Sequence, residues 1–253
     1  MPSDGAVRQP KYQRIAAALK AAIEAGEYGP GDRLPGENDL MATYGVARMT
    51  ARQALGVLQA EGLTEARKGA GVFVREFRLI RRRSIQRLAS EVWGGGRSIW
   101  EADTEDREPT VEFLGVTQEA PPAAVAAVLG LGGEEPVCVR RRRFLLDGKP
   151  VMLATSYLDA ALVAGTPVTE PDTGPGGIYA RLAELGEAPA RFREEIRSRM
   201  PSPDEAARLA LAAGTPVVLV CRTAYTAQGR PVEVNEMVMD ASAYVLEYEF
   251  DAS

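Results

Sequence analysis

The most constraining stretch of this 253-residue chain is Gly36-Glu37-Asn38-Asp39-Leu40-Met41-Ala42-Thr43-Tyr44-Gly45-Val46-Ala47-Arg48-Met49-Thr50-Ala51-Arg52-Gln53-Ala54-Leu55. Apolar residues recur at helical spacing on both sides of Gly45, so the stretch reads as a short helix, a tight turn and a second helix. Leu40 and Tyr44 of the first helix, with Val46, Ala54, Leu55 and Leu58 around the second, are expected to close over one small core. Arg48 and Arg52, four residues apart, then share an outward face at the start of the second helix, with Thr50 beside them. This is the layout of a helix-turn-helix, whose second helix enters the DNA major groove and whose early side chains reach phosphates and base edges. Two solvated arginines on a surface helix would explain the pair alone; the flanking sequence decides against it.

Upstream, Tyr28-Gly29-Pro30-Gly31-Asp32 leads to Leu34-Pro35-Gly36-Glu37; downstream, Glu61-Gly62-Leu63 leads to Arg67-Lys68-Gly69-Ala70-Gly71-Val72-Phe73-Val74. The last run reads as two short strands around a basic, Gly-rich tip, because glycine supplies the positive φ of a tight hairpin. A helix-turn-helix followed by a hairpin is a winged helix. Ahead of it, Tyr12, Ile15, Leu19 and Ile23 predict a helix from Lys11 to Ala25 that ends at Gly26, and residues 1–10 read as a polar arm.

On these residues, positions 11 to 75 resemble the DNA-binding domain of the GntR family of bacterial transcription regulators. The resemblance implies contacts to double-stranded DNA from Arg48, Thr50 and Arg52 of the recognition helix and from the wing at Lys68 and Gly69. Where that family often carries a base-contacting Arg after the Glu of its Leu-Pro-x-Glu motif, this chain has Asn38, which can donate a hydrogen bond but brings no charge.

The length suits two ordinary domains. Residues 1–75 hold ten Lys and Arg against eight Asp and Glu, net +2, and the remainder 20 against 27, net −7: a mildly basic head on an acidic body. The two cysteines, Cys138 and Cys221, make neither a disulfide framework nor a metal site, and the chain has no histidine. Histidine-based catalysis and histidine-ligated metal are thereby excluded, and no cofactor is expected. No stretch approaches the roughly 18 apolar residues needed to span a bilayer, so no membrane partner is expected and the protein is read as cytoplasmic.

From Arg75 to Pro109 a basic run, the triplet Gly94-Gly95-Gly96 and a mixed-charge segment read as an interdomain linker, with a helix from Ser84 to Trp93 and with Trp93 and Trp100 as packing anchors. Beyond it the pattern turns strand-like over Thr110–Thr117, Pro136–Leu146, Pro150–Leu158, Ala190–Met200, Pro216–Thr226 and Pro231–Tyr248, with turns at Asp147-Gly148 and Gln228-Gly229. Helices are expected over Ala123–Leu129, Ile178–Leu185 and Pro203–Ala212, giving an antiparallel sheet with helices on one side, an α+β domain. A weak internal echo runs through it. Pro136-Val137, then Arg141-Arg142, then Asp147-Gly148-Lys149-Pro150-Val151 are answered by Pro216-Val217, Arg222 and Gln228-Gly229-Arg230-Pro231-Val232, as in a pseudo-symmetric domain.

Arg140 to Arg143, Asp147-Gly148-Lys149-Pro150-Val151, Ser156-Tyr157-Leu158, Ile178-Tyr179 with Leu182, and Gly229-Arg230-Pro231-Val232-Glu233 together resemble the UTRA effector-binding domain of the HutC branch of GntR regulators. The resemblance implies a chorismate-lyase-like fold with a small-molecule pocket. The expected organisation is a winged helix-turn-helix over 1–75, a linker over 76–109 and a UTRA-like effector-binding and dimerisation domain over 110–253. The expected function is a homodimeric regulator, read as a repressor, that binds a palindromic operator with an affinity altered by its effector. The rival reading is a lyase-like enzyme fused to a DNA-binding head, against which no nucleophile–base pair is found.

Strand alternation puts Arg140 and Arg142 on one face and Arg141 and Arg143 on the other, without saying which face lines the pocket. The resemblance favours Arg142, which aligns with an arginine that holds phosphate in sugar-phosphate-binding members. Three further polar ligands of those members are replaced here by Phe144, Ala154 and Gly177, while Glu233 matches a pocket acid. The expected effector is therefore larger and less polar, with at most one anionic group, approached by Arg140, Arg142, Tyr157 and Glu233. The competing expectation is that Arg142 only pairs with Glu194 or Glu195 across the sheet.

Overall fold

A computed structural model describes residues 9–67, 69–75, 79–83, 86–96, 99–102, 104, 107–132 and 135–249. The chain divides into two compact units, one of residues up to 78 together with Leu211–Thr215, the other of the rest.

The first unit contains α1 (Lys11–Glu24), α2 (Glu37–Tyr44), α3 (Arg48–Ala60) and a hairpin of β1 (Thr64–Arg67) and β2 (Gly71–Val74). Ile15, Ala16 and Leu19 of α1 meet Ala51, Ala54, Leu55 and Leu58 of α3, and Leu34, Leu40 and Val74 complete the core. Asp39 accepts from the Gly36 backbone N–H at 2.9 Å at the start of α2, and Gly45, at φ 59°, ends it in the left-handed conformation that a side chain would resist. Tyr44 does not join this core as the periodicity predicts: it is 40% exposed, and Met41 and Val46 pack against the core instead.

The second unit holds β3 (Ile80–Arg83), α4 (Ser90–Gly94), α5 (Ile99–Ala102), β4 (Pro109–Glu119), α6 (Ala123–Leu129), β5 (Val137–Leu146), β6 (Lys149–Asp159), α7 (Ala160–Val163), α8 (Gly177–Glu184), β7 (Pro189–Arg199), α9 (Pro203–Arg208), β8 (Val217–Thr226), β9 (Pro231–Asp240) and β10 (Tyr244–Glu247). Six strands form an antiparallel sheet in the order β4-β5-β6-β9-β8-β7. Its halves, β4-α6-β5-β6 and β7-α9-β8-β9, have one element order and meet at their third strands, which is the symmetry that the sequence echo anticipates. The echo extends to irregularities. Each hairpin carries a β-bulge beside its proline, at Phe144/Leu145 opposite Pro150 and at Ala224/Tyr225 opposite Pro231, where a residue without an N–H cannot continue the ladder.

Four expectations are corrected. The run Pro231–Tyr248 is not one strand: the Asp240 carboxylate accepts from the Ser242 N–H and hydroxyl, the chain turns, and β10 pairs in parallel with β3. Much of the stretch read as a linker is built into the second unit, since Ile80 and Trp100 enter one hydrophobic core and Leu88 and Trp93 another. Within it the helix expected from Ser84 to Trp93 is, among the described residues, a 3-10 turn over Gln86–Leu88 followed by the short α4, Ser84 itself lying outside them. Finally, α6 covers the sheet face opposite those two cores, with Val125 on Val137, Val139, Tyr157 and Val234, so helices lie on both faces.

Candidate nucleic-acid interface and effector cavity

In the first unit, α3 begins at Ala47, which supplies no side-chain cap, so its first N–H groups and the positive end of its dipole are open to an anion. Arg48 and Arg52 flank that end with side chains 61% and 60% exposed. Glu37 of α2 braces both: Arg52 donates to it through Nε at 2.7 Å and Nη2 at 3.3 Å, and Arg48 Nε lies 3.7 Å away. Arg48 also donates to Asn38 Oδ1 at 3.1 Å. The hydrogen bond to Arg52 comes first among the causes that hold the Glu37 carboxyl below its ordinary value. Thr50 is half-buried on the same turn, whereas Met49 and Gln53 are exposed beside the arginines and escape a search restricted to charged and hydroxyl side chains. At the wing, Gly69 has φ +74° with open space where a Cβ would sit; Gly71 has φ +119°, and a Cβ there would lie 2.9 Å from Arg33 Nε. Lys68 lies outside the described residues.

In the second unit, the face that carries Arg140 and Arg142 forms the floor of a cavity of about 530 Å³. The ladder arranges this floor in rows. Arg140, Ser156, Asn235 and Arg222 lie side by side across β5, β6, β9 and β8; in the next row are Arg142, Ala154, Met237 and Val220. Beyond them Phe144 faces Met152, and Trp100, Phe113 and Ile99 join Phe144 and Met152 in an apolar wall. On the other side of the polar row, Glu233 lines the cavity with Tyr179, and Pro171 to Gly174 and Gly176-Gly177 supply a glycine-rich loop.

Arg140 and Arg142 share this wall but not a state. Buried Arg140 donates to the carbonyls of Val168, Glu170 and Pro171, and so is spent largely on fixing the loop that borders the cavity. Among the described residues Arg142 donates one bond, from Nη2 to Ser156 Oγ at 2.6 Å, and its buried Nε has no hydrogen-bond partner. Burial, with Arg140 and Arg222 nearby, brings its guanidinium down to about 10 against the pull of Glu233, which still leaves it cationic at neutral pH. Arg142 pairs with neither glutamate of the competing expectation. Buried Glu194 meets Arg82, Arg87 (3.5 Å) and Arg222 (4.0 Å), and Glu195 pairs with Arg193 at 2.8 Å. Phe144, Ala154 and Gly177, the three departures from the sugar-phosphate pattern, all line the cavity.

Tyr157 is the correction. It packs on the opposite face among Val125, Val137, Val139 and Val234, and its hydroxyl donates to Glu236 at 3.3 Å. The cause is the bulge at Phe144/Leu145. Continuing the register of Leu146 and Lys149 would put Tyr157 on the face of Arg142, and one inserted residue inverts the parity. The inverted register puts Ser156 there in its place. Arg87, Arg222, Asn235 and Trp100 are cavity residues that the sequence reading missed. Of these Arg222 was within reach, because it stands as far from Val217 as Arg142 does from Val137.

A winged helix with exposed arginines, followed by a sheet domain that encloses a mixed polar and apolar cavity, has the make-up of a DNA-reading regulator. The chain belongs to the gntR family of bacterial regulatory proteins, whose model matches residues 11–74, and carries a UTRA domain over residues 104–245. It is 31% identical over 255 aligned residues to an HTH-type transcriptional regulator of Streptomyces coelicolor, covering 97% of this chain and 94% of that one. An HTH-type regulator of Mycobacterium tuberculosis is 34% identical, with 89% and 80% covered, and the HTH-type transcriptional repressor NagR of Bacillus subtilis 27% identical, with 96% and 95% covered. Among solved structures, PhnF from Mycobacterium smegmatis superposes with a TM-score of 0.60 at 25% identity, covering 94% of this chain and 100% of that one. These relatives are regulators, and this chain is a transcriptional regulator and not an enzyme. No helix among the described residues is long and apolar enough to cross a membrane.

Proposed function

We propose that this regulator is a homodimeric repressor of the HutC type that binds a palindromic operator and is released or tightened by a small molecule held in the cavity of its second unit. Residues 1–75 act as the reading head, with Asn38, Arg48, Thr50, Arg52 and Gly69 at the DNA. Residues from 110 onward hold the effector and the dimer contact, with the stretch between them partly absorbed into that body. The observation that carries the reading is the coexistence of an exposed arginine pair at the uncapped start of α3 with a cavity whose wall includes a cationic Arg142. A palindromic site calls for a two-fold protein, because one winged helix reaches too few bases for specificity. The apolar wall and the substitutions at Phe144, Ala154 and Gly177 favour an effector that is larger and less polar than a sugar phosphate, with one anionic group.

Linkage supplies the test. A compound present at 100 times its dissociation constant adds about 2.7 kcal/mol of stability, so a thermal-shift screen of the full chain against metabolites finds binders. Any true effector must then change operator affinity, and operator DNA must change effector affinity by the same factor, typically ~5- to 150-fold. A binder that leaves DNA affinity unchanged contradicts the proposal.

A further inference from the structure

The cavity floor holds acceptors as well as a cation, and this sets what its ligand must carry. Glu233 is 1% exposed and Asn235 5% exposed, both line the cavity, and Glu233 Oε2 and Asn235 Oδ1 have no hydrogen-bond partner among the described residues. The Tyr179 hydroxyl stands beside Glu233 in the same wall, where burial and then the nearby carboxylate push its pKa up, without reaching strict hydrogen-bond geometry. Burying a carboxylate oxygen without a donor is costly, so one that lines a cavity is a group that a water or a bound ligand satisfies. The Asn235 amide can present either its oxygen or its nitrogen, but the carboxylate of Glu233 can only accept.

The other charges of the wall are committed elsewhere. Arg140 is held by three loop carbonyls, Arg87 and Arg222 lie on buried Glu194, and exposed Asp172 accepts from the Gly174 N–H at 2.8 Å. Among the described residues, the buried charges of the wall that remain uncommitted are one cation, Arg142, and one carboxylate, Glu233, which attract each other. Glu233 sits beyond the polar row, while Arg142 stands in the row next to Phe144 and reaches back to Ser156, between the polar floor and the apolar wall of Phe144, Met152, Trp100 and Phe113.

From this arrangement we infer that the effector is an amphipathic zwitterion: an anionic group for Arg142 and a cationic donor, an ammonium, for Glu233, on a body that lies along the apolar wall. The inference rests on the reading of this cavity as the effector site. A carboxylate or phosphate alone would leave Glu233 unmet and add a second negative charge beside it, and an amine alone would leave Arg142 unmet. A site built around a buried hydrogen-bonding group rejects an analogue that lacks the matching group far more strongly than a hydrophobic pocket rejects a missing methylene.

The test is calorimetric titration of the full chain with three probes of one skeleton: 2-amino-4-phenylbutanoate, which has both groups, 4-phenylbutanoate, which lacks the amine, and 3-phenylpropylamine, which lacks the carboxylate. The amino acid is expected to bind at least tenfold more tightly than either single-function probe. In Glu233→Gln, a same-size change whose folding is checked by its melting temperature, the preference over 4-phenylbutanoate is expected to shrink to less than threefold. In Arg142→Gln the preference over 3-phenylpropylamine is expected to shrink likewise. Equal or tighter binding of 4-phenylbutanoate, or a preference that survives Glu233→Gln, overturns the inference while the cavity stands as the effector site. Binding of none of the three at millimolar concentration also overturns it, and the cavity reading is then judged by the metabolite screen, which presumes no head group.

Discussion

The two units use one chemical pair, arginine with glutamate, to opposite ends. In the winged helix, Glu37 holds Arg48 and Arg52 in the open, with more than half of each guanidine side chain exposed. In the sheet domain, Glu194 gathers Arg82, Arg87 and Arg222 with all four side chains below a tenth exposed, and Tyr248 donates to its second oxygen at 3.2 Å. An exposed pair gives up its partner at small cost, since water and salt already compete for it, so arginines parked there are ready for phosphate or base edges. A buried cluster cannot be opened without stranding charge, so it fixes structure. Environment, more than residue type, separates a contact meant to be exchanged from one meant to persist.

The largest effect that would break this comparison is at Glu194. Glu194→Gln leaves three buried guanidinium groups undercompensated and is expected to cost about 3 to 5 kcal/mol, measured by urea unfolding. Burial raises the Glu194 pKa, but the three arginines outweigh it and hold the carboxyl below its ordinary value. A depressed folded value means that this stabilisation is complete above the unfolded value of about 4.3 and is lost as the pH falls below it. The wild-type chain should therefore lose stability below that pH more steeply than the variant; parallel acid curves would remove Glu194 from the account.

Two glycines extend the comparison. A Cβ at Gly176 would run into the Trp93 carbonyl and the Ala180 side chain, at φ +77°, so Gly176→Ala is expected to destabilise by roughly 1 to 3 kcal/mol of overpacking and to disturb the cavity. A Cβ at Gly69 would meet nothing within 4 Å among the described residues, so Gly69→Val should cost only the strain of φ +74° in the wing and act on DNA binding. A melting temperature that falls as far for Gly69→Val as for Gly176→Ala would make the wing glycine purely structural.

Smaller still on stability are the exposed arginines. Arg52→Ala should leave the melting temperature and circular dichroism unchanged while weakening operator binding roughly tenfold or more at moderate salt, as expected for a lost base or phosphate contact. Glu37→Gln should not shift the melting temperature measurably, because the pairs it removes are exposed. Unchanged operator affinity in Arg52→Ala would move the DNA interface away from α3.

What could be read from the sequence was what depends on local periodicity. The helix-turn-helix emerged from helical spacing around Gly45, and α6 and five of the six long strands lie within a residue or two of their expected bounds, β9 ending at Asp240 where Tyr248 was expected. The echo between the Lys149-Pro150 and Arg230-Pro231 hairpins foretold the two-fold arrangement of the sheet. What could not be read depends on register and on distant partners. Tyr157 changed face through one bulged residue, and Arg140, expected at the effector, turned to loop carbonyls some thirty residues away. Ile80 and Trp93 looked like linker because the strand and cores that receive them lie far along the chain. That body starts near residue 79, so residues 79–253 expressed alone should elute as a dimer at tens of micromolar; a monomer would assign dimerisation to the head.

Operator recognition by two chains is tested by selecting binding sites for the full chain from random double-stranded DNA. The account predicts enrichment of a palindrome whose half-site centres lie about one helical turn, roughly 34 Å, apart, bound by two chains and lost in Arg52→Ala. Enrichment of an asymmetric site bound by one chain, or the same palindrome selected equally well by Arg52→Ala, would contradict it.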